Sequence, residues 1–436
     1  VVSAGVVMNL LLAAVLFVGC FQVGVNFEAP IIGHIVANSP AAKAMSLSIP
    51  SKPLELGDTV ISVDGTQITT FTELQIAGAM SKSGESLTLE VQKEGFEELF
   101  TYSLQPAKVS QDGLLELGLY PSYSSTLRTG RAGKEIAAIL QTESSPLRDL
   151  NEGMQLVSAD GESIDRWSSF QRILQASNGN PIQTKWVKSN LTQEIVLPVF
   201  PSLVIYRSTG LDENSPQKYE RGLLGLVPLT SISSVLQSGP NASILQDNDV
   251  ILKAASIESP RMGQLRAELA SLPDGPVEVT VLRDGEKTDL VCQIKSGKLG
   301  IVLIDALNIP RFAQPLQENL IDVQGVLVQA TTPIAGLQLL GGSEIISING
   351  EPVSNWSDIR SRIVEAGELV SMEIVNPTVN RQLSSVTIEV TPEQQQVIAS
   401  LGWTTMLIDQ MFEPMYVVRS SGGNPVTALR MGSEET

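Results

Sequence analysis

Histidine is nearly absent from this chain: His34 is the single one in 436 residues. Most catalytic zinc sites draw two or three imidazoles from the protein, so this stretch is not expected to hold one. No HExxH, no G-x-S-x-G and no phosphate-cradling P-loop occurs. Cysteine is as scarce, with Cys20 in an apolar run and Cys292 in a predicted strand. Two such distant thiols exclude a disulfide framework and thiolate metal clusters. Aromatics make up 5%, and 29 basic residues face 47 acidic ones, a formal net charge of -18. An acidic surface repels phosphate backbones and few aromatics offer no stacking platform, so no nucleic-acid partner is expected.

Charge is also missing from Val1 to Phe27, Glu28 being the first charged residue. As a helix, the 25-residue run VVSAGVVMNLLLAAVLFVGCFQVGV spans roughly 37 Å, against a hydrocarbon core of about 30 Å. Residues 1–26 therefore read as a transmembrane helix, with Asn9 facing another helix rather than lipid. Two other readings compete. A cleaved signal peptide starting at Met8 lacks the basic n-region. FVGC, ahead of Phe21, resembles a lipoprotein cleavage box with Cys20 lipidated. No cluster of Lys or Arg follows the run, so residues after Val25 are expected on the outer side of the membrane. The chain starts without Met and ends in NPVTALRMGSEET, where Asn424 can cap a helix and Pro425 can open it. It reads as a piece of a longer protein.

What the chain does have is a phrase written four times. ELGDTVISVDG, NEGMQLVSADG, QDNDVILKAAS and LGGSEIISING align on Gly57, Gly153, Asn248 and Gly342, at spacings of 96, 95 and 94 residues. A period this long marks an array of similar domains, since solenoid units run to about 20–50 residues. Hydrophobic residues make up 42%, enough for several cores. Each unit is expected to open with a short strand, read as IIGHIVA, KEIAAIL, TSISSVL and QGVLVQA. A turn with small residues follows, NSPAAKA in unit one. The repeated strand comes next, closed by Asp64-Gly65, Asp160-Gly161 or Asn349-Gly350, pairs that tolerate positive φ. Unit three has Ala255-Ser256 there, so a different turn is expected. An amphipathic helix comes after it, TFTELQIAGAM in unit one, with Trp167 and Trp356 at matching places in units two and four. A hairpin ends the unit, as at Arg283 to Gly285. Leu-Gly-apolar runs stand at Gly118, Gly225, Gly300 and Gly402.

This order of elements resembles a PDZ domain, in the permuted bacterial version whose Leu-Gly-apolar loop precedes the rest. AGVVMNLLLAAVLFVG running into IIGHIVANSPAAKAM resembles the second membrane helix and first PDZ domain of bacterial site-2 proteases, with Gly5 and Asn9 matching that family's Gly-x-x-x-Asn. The resemblance implies a β-rich α+β fold: a transmembrane helix (1–26), PDZ-like domains at 27–107, 113–200, 222–296 and 297–396, a linker (201–221), and a segment (397–436) leading toward a further membrane helix. It implies intramembrane zinc proteolysis at the bacterial inner membrane, with zinc held by helices outside this stretch. No residue here is a zinc ligand by motif, His34 included, and this stretch is not catalytic alone. The array, on the periplasmic side, would bind or size-filter membrane-protein or peptide substrates beside the lipid bilayer. A non-enzymatic, membrane-anchored PDZ scaffold is the alternative. Candidate peptide-binding positions are Ile31, Ile32 and Gly33 in unit one, Gly118 and Ile136 in unit two, Gly225 ahead of unit three, and Gly300, Val326 and Val328 in unit four. There the loop would aim backbone N–H groups at a terminal carboxylate and the strand would pair with an added chain.

Overall fold

The computed structural model describes residues 2–36, 39–48, 52–93, 95–108, 114–140, 145–208, 219–323, 326–376, 383–422 and 424–434. Its helices are α1 (Val2–Val23), α2 (Pro40–Lys43), α3 (Phe71–Met80), α4 (Gly130–Leu140), α5 (Trp167–Ala176), α6 (Met262–Ser271), α7 (Trp356–Ala366), α8 (Pro392–Ser400) and α9 (Pro425–Glu434). The rest is strand and turn, a β-rich α+β fold with four main hydrophobic cores, one per repeat.

Unit one shows how the repeated phrase folds. In strand Thr59–Val63, Val60 and Val63 are buried. Asp64 and Gly65 then take φ of 47° and 77°, and the chain doubles back on Thr66. Left-handed residues at both turn positions match the twist of the flanking strands. Asp160, Ala255 and Asn349 take φ of 47°, 48° and 49° at the same place. The turn of unit three matches the others at its first residue and differs at its second, since Gly65, Gly161 and Gly350 take positive φ and Ser256 does not. Ala255 adopts the left-handed conformation without an Asn or Asp side chain to favour it, at a cost of roughly 1–2 kcal/mol.

In three units the residue after Gly57, Asn248 or Gly342 has a cross-strand partner at the end of the hairpin's first strand. Asp58 meets Lys93, Asp249 meets Arg283, and Ser343 meets Asn376. In the two aspartate units the carboxylate also accepts the backbone N–H three residues earlier, from Glu55 and from Gln246, both at 2.9 Å. Unit two has buried Met154 at this place, and Lys188 turns instead to the Glu152 carbonyl. Burial raises the Asp58 pKa despite the Lys93 ammonium, which pulls the other way.

The first strand of each unit is recognised by a bonding pattern. Ile32 donates to the Asp58 carbonyl and accepts from Gly57 N–H, at 2.8 and 2.7 Å. Leu127 does the same with Met154 and Gly153, Ile232 with Asp249 and Asn248, and Phe312 with Ser343 and Gly342. Two expected first strands are thus corrected. KEIAAIL belongs to α4, because strand Tyr123–Leu127 already holds the edge and the Lys, Glu and Ala-rich run is a good helix former. Of QGVLVQA, positions 324–325 lie outside the described residues and the rest falls in strand Val326–Thr331, which pairs with Glu318–Val323 in an extra hairpin.

The Leu-Gly runs close units across the chain rather than opening the next one. Strand Leu119–Pro121 pairs with Ile32–Ile35 of unit one, and Ile301–Asp305 pairs with Thr230–Val235 of unit three. Gly118 and Gly300 therefore belong one unit earlier than expected. Gly225 (φ 99°) lies against Leu316, Thr332 and Ile334, in unit four. Unit two is closed by Phe412–Pro414, which pairs with Tyr123–Leu127. Unit three thus sits inside unit four, and both sit inside unit two. Tyr416–Arg419 then pairs with Val25–Glu28 at the base of unit one. The stretch expected as a linker contributes strands Phe200–Pro201, Val204–Ser208 and Tyr219–Gly222; positions 209–218 lie outside the described residues.

At the N-terminus α1 ends where Gly24 (φ 105°) returns its N–H to the Cys20 carbonyl at 2.9 Å. Many side chains of α1 lie outside the described set. Among the described residues no helix is long and apolar enough to cross a membrane. Asn424 caps α9, accepting from Val426 N–H at 2.9 Å, and α9 packs along α1.

Candidate functional site

Unit one keeps a cleft of about 380 Å³ between α3 and residues 114–120. Thr70 fixes the start of α3 by a capping box: its hydroxyl accepts Glu73 N–H, and the Glu73 carboxylate accepts Thr70 N–H. Glu73 also reaches Arg419, which ties the helix to the strand at the base. Phe71 and Leu74 turn one face of α3 into the core, while Gly78 and Ala79 leave its last turn without bulk. Glu116 is the charged residue among those lining the cleft, beside Gln75 and a wall of leucines.

The opposite wall is a backbone device. The Leu117 carbonyl accepts Ala41 N–H and the Gly118 carbonyl accepts Val36 N–H. In a trans peptide the N–H points opposite the carbonyl. The N–H groups of Gly118 and Leu119 therefore face away from the body of unit one. Ile35 and Leu119 form a non-hydrogen-bonded pair of the antiparallel ladder, so both polar groups of Leu119 lie on the outer edge. Two adjacent N–H groups on one side make an anion-accepting nest, and the edge beyond them can accept an added strand. Gly118 is required here. Its φ is 78°, and a Cβ would stand 2.2 Å from the Ser39 Cβ.

The equivalent clefts are not alike. In unit two, Phe412 packs on Trp167 (4.8 Å between ring centroids), and Gln175 bonds both main-chain groups of Trp403. In unit four, Ile398 of α8 joins the core formed with α7. In unit three, a cavity of about 560 Å³ remains between α6, Leu303–Asp305 and the strand Tyr219–Gly222.

Of the positions expected from sequence, Gly118 lines the cleft of unit one. Ile31, Ile32 and Gly33 lie one strand inward: Ile32 is core, and Gly33 lies under the Pro121 backbone. Ile136 is on α4 against the core of unit two. Gly300 packs on Gly239 and Pro240 in unit three. Val326 and Val328 are in the extra hairpin, and their side chains lie outside the described residues. Sequence reasoning missed Leu74, Gln75, Gly78 and Leu117 as cleft residues. The small pair Gly78-Ala79 late in an amphipathic helix was the available signal. His34 is exposed on its strand beside Tyr120, and no group of three or more His, Cys, Asp or Glu gathers among the described residues. The described side chains do not gather a donor set that fits a zinc ion.

A cleft between a capped helix and an edge strand, entered past a Leu-Gly turn, defines a PDZ-type module. The PDZ domain model matches residues 22–92. The chain is similar, at 22% identity over 61% of its length, to Protease RseP of Yersinia pestis, and at 23% over 42% to the Regulator of sigma-E protease RseP of Escherichia coli. A protein named as a zinc metalloprotease in Clostridium acetobutylicum is 31% identical over 28% of this chain and 33% of its own. The match covers 55% of the Yersinia protein and 38% of the Escherichia one, so the chain spans about half the length, or less, of the curated relatives it matches. The solved PDZ domain of the SdrC-like protein from Listeria monocytogenes covers 22% of this chain and 90% of its own, at 14% identity and a TM-score of 0.18, too low to add to the fold argument. These likenesses support a PDZ region of the site-2 protease family.

Proposed function

We propose that this chain is the extracytoplasmic, substrate-handling region of a membrane-embedded zinc metalloendopeptidase, and that unit one takes an extended peptide by its C-terminal end. The observation that carries this is the pair of N–H groups at Gly118 and Leu119, beside a free strand edge and an apolar helix wall. The likeness to proteins named RseP and to a zinc metalloprotease supports the enzymatic context. The zinc and its chemistry belong to sequence beyond the residues described. Helix α1 carries no charged residue over its 22 positions, and the proposed membrane anchorage rests on that sequence pattern and on the likeness to proteins named RseP. The packing of α1 against α9 suits a body hung between two membrane helices. The clefts of units two and four, occupied by the chain itself, serve as scaffold and bulk.

The test is fluorescence anisotropy with a labelled peptide ending in leucine, as the free acid and as the C-terminal amide. The free acid binds, the amide binds about tenfold more weakly, and Gly118→Val removes binding of both. Equal binding of the two forms, or binding untouched in Gly118→Val, would sink the reading.

A further inference from the structure

Unit three has the same cleft as unit one, but one of its walls is a strand from elsewhere in the chain. The wall is Tyr219–Gly222, paired with Val204–Ser208 and leading directly into the Leu-Gly turn of unit four. It lies against the first turn of α6, where α6 needs a partner. Arg261 holds the N-cap place of α6 and its side chain accepts no hydrogen bond there. Glu220 supplies the missing acceptor from the neighbouring strand: its Oε1 takes Gly263 N–H at 3.2 Å. A carboxyl oxygen at a helix N-terminus satisfies an orphan donor whether or not the group is ionised.

The contact is also electrostatically uneven. Glu220 is 3% exposed, and the Arg261 Nε lies 3.6 Å from it without a hydrogen bond. Arg261 bonds instead, through Nη1, to the Gln314 carbonyl at 2.8 Å. A second carboxylate, Asp305, lines the same cavity, and among the described residues no donor hydrogen-bonds it. Arg221 and Arg266 also line it. Buried charges held without full hydrogen bonding are costly: Glu220 has Arg261 beside it without a hydrogen bond, and half-buried Asp305 has only the exposed Arg221 opposing it.

We propose that the strand Tyr219–Gly222 is a cis-acting closure over the α6 end of the unit-three cleft, held by Glu220, and that it loosens as the surroundings become less acidic. What it walls off is a main-chain edge. Thr230 and Asp305 form a non-hydrogen-bonded pair, so Asp305 and, two residues back, Leu303 turn their N–H groups away from strand Thr230–Val235 and toward the cavity. The closure rests on reading the cleft between α6 and Ile301–Asp305 as the counterpart of the unit-one groove.

The direction follows from the groups around Glu220. Burial pushes its carboxyl up to about 7, against the pull of Arg261, the Gly263 N–H and Arg266, with Asp305 adding to the rise. Burial pushes Asp305 up to about 6, with Arg221 opposing. Both carboxyls hold their protons in the closed state at a pH where a freed strand would release them. Closure is therefore fully supported below about 4 and weakens progressively as pH rises to about 7.

Amide hydrogen exchange on the whole chain tests this, read at Gly263, Leu265 and Tyr219–Gly222 and corrected for the intrinsic pH dependence of exchange. Protection at these amides falls about tenfold or more between about pH 5 and about pH 8, while the core strand Val250–Ala254 stays protected. Glu220→Gln keeps the acceptor for Gly263 N–H without the charge, raises protection at the high-pH end and leaves only the smaller fall carried by Asp305. Asp305→Asn leaves the Glu220 contact in place and moves the midpoint to lower pH, an arm that stands if Glu220→Gln does not fold. Protection that is flat in the unaltered chain, that rises with pH, or a midpoint unmoved by Asp305→Asn overturns the proposal. No peptide enters this measurement, so its failure is separate from a failure of the unit-one groove.

Discussion

Units one and two are built on the same phrase, yet one keeps its cleft and the other fills it. In unit one the segment along the helix is Leu114 to Tyr120, and α3 ends in Gly78, Ala79 and Met80. In unit two the segment is Trp403 to Phe412, and α5 begins at Trp167. Phe412 fits between Trp167 and Trp186 (4.8 and 6.1 Å between centroids), so the place an added chain would take is occupied by the unit's own side chains. The difference teaches that the PDZ-like framework does not by itself make a site. A site remains only where the closing segment leaves main-chain groups facing outward and the helix stays slim.

The comparison can be broken most severely at the plug. Phe412→Ala removes a fully buried ring from the core of unit two and costs about 3–5 kcal/mol. Denaturation followed through the fluorescence of Trp167 and Trp186 reads it, and a loss under about 1 kcal/mol would mean the ring is not holding the unit shut.

A second test sets the cross-strand pairs of the two units side by side. Lys93 is 2% exposed and holds Asp58 at 2.8 Å, so Lys93→Met leaves a buried carboxylate without its partner, a loss of about 3–5 kcal/mol. Lys188 holds the same register in unit two but is exposed, and Lys188→Met stays within about 0.5 kcal/mol. Hydrogen exchange in the strands Leu87–Gln92 and Ile182–Lys188 separates the two; equal effects would erase the distinction.

The mildest test touches the groove helix. Thr70→Ala removes the hydroxyl that accepts Glu73 N–H and costs about 1 kcal/mol. Faster exchange confined to the first turn of α3, with peptide binding weakened only slightly, is the expected result. Loss of all of unit one would show that the helix start does more than position a wall.

Much of each unit was legible in the sequence. The apolar pattern of Val60, Ile61 and Val63, the Asp64-Gly65 turn and the Thr70 cap carry their physics locally, in side-chain alternation, tolerance of positive φ and a hydroxyl facing an orphan N–H. Trp167 and Trp356 do open matching helices. The run KEIAAIL misled because its apolar residues fit a short strand as well as one face of a helix. The Ala255-Ser256 pair was legible as a different turn, since Ser256 lacks the positive φ of the other units' glycines, but composition gave no sign that Ala255 takes the left-handed φ of Asp64. The cleft residues Leu74 and Leu117 were invisible as a pair, since nothing in either neighbourhood names the other.

By itself, then, the sequence determined the repeating unit, its turns and caps, and the apolar helix that precedes it. Those features depend on contacts within a few residues. Only the tertiary structure decided which Leu-Gly segment closes which unit, and therefore where a cleft stays open. A repeat of steady period has no intrinsic starting point, and antiparallel strands pair by edge and register whatever the chain length between them. Gly118 closing unit one, and Phe412 closing unit two from nearly 300 residues away, are choices made by free edges in space.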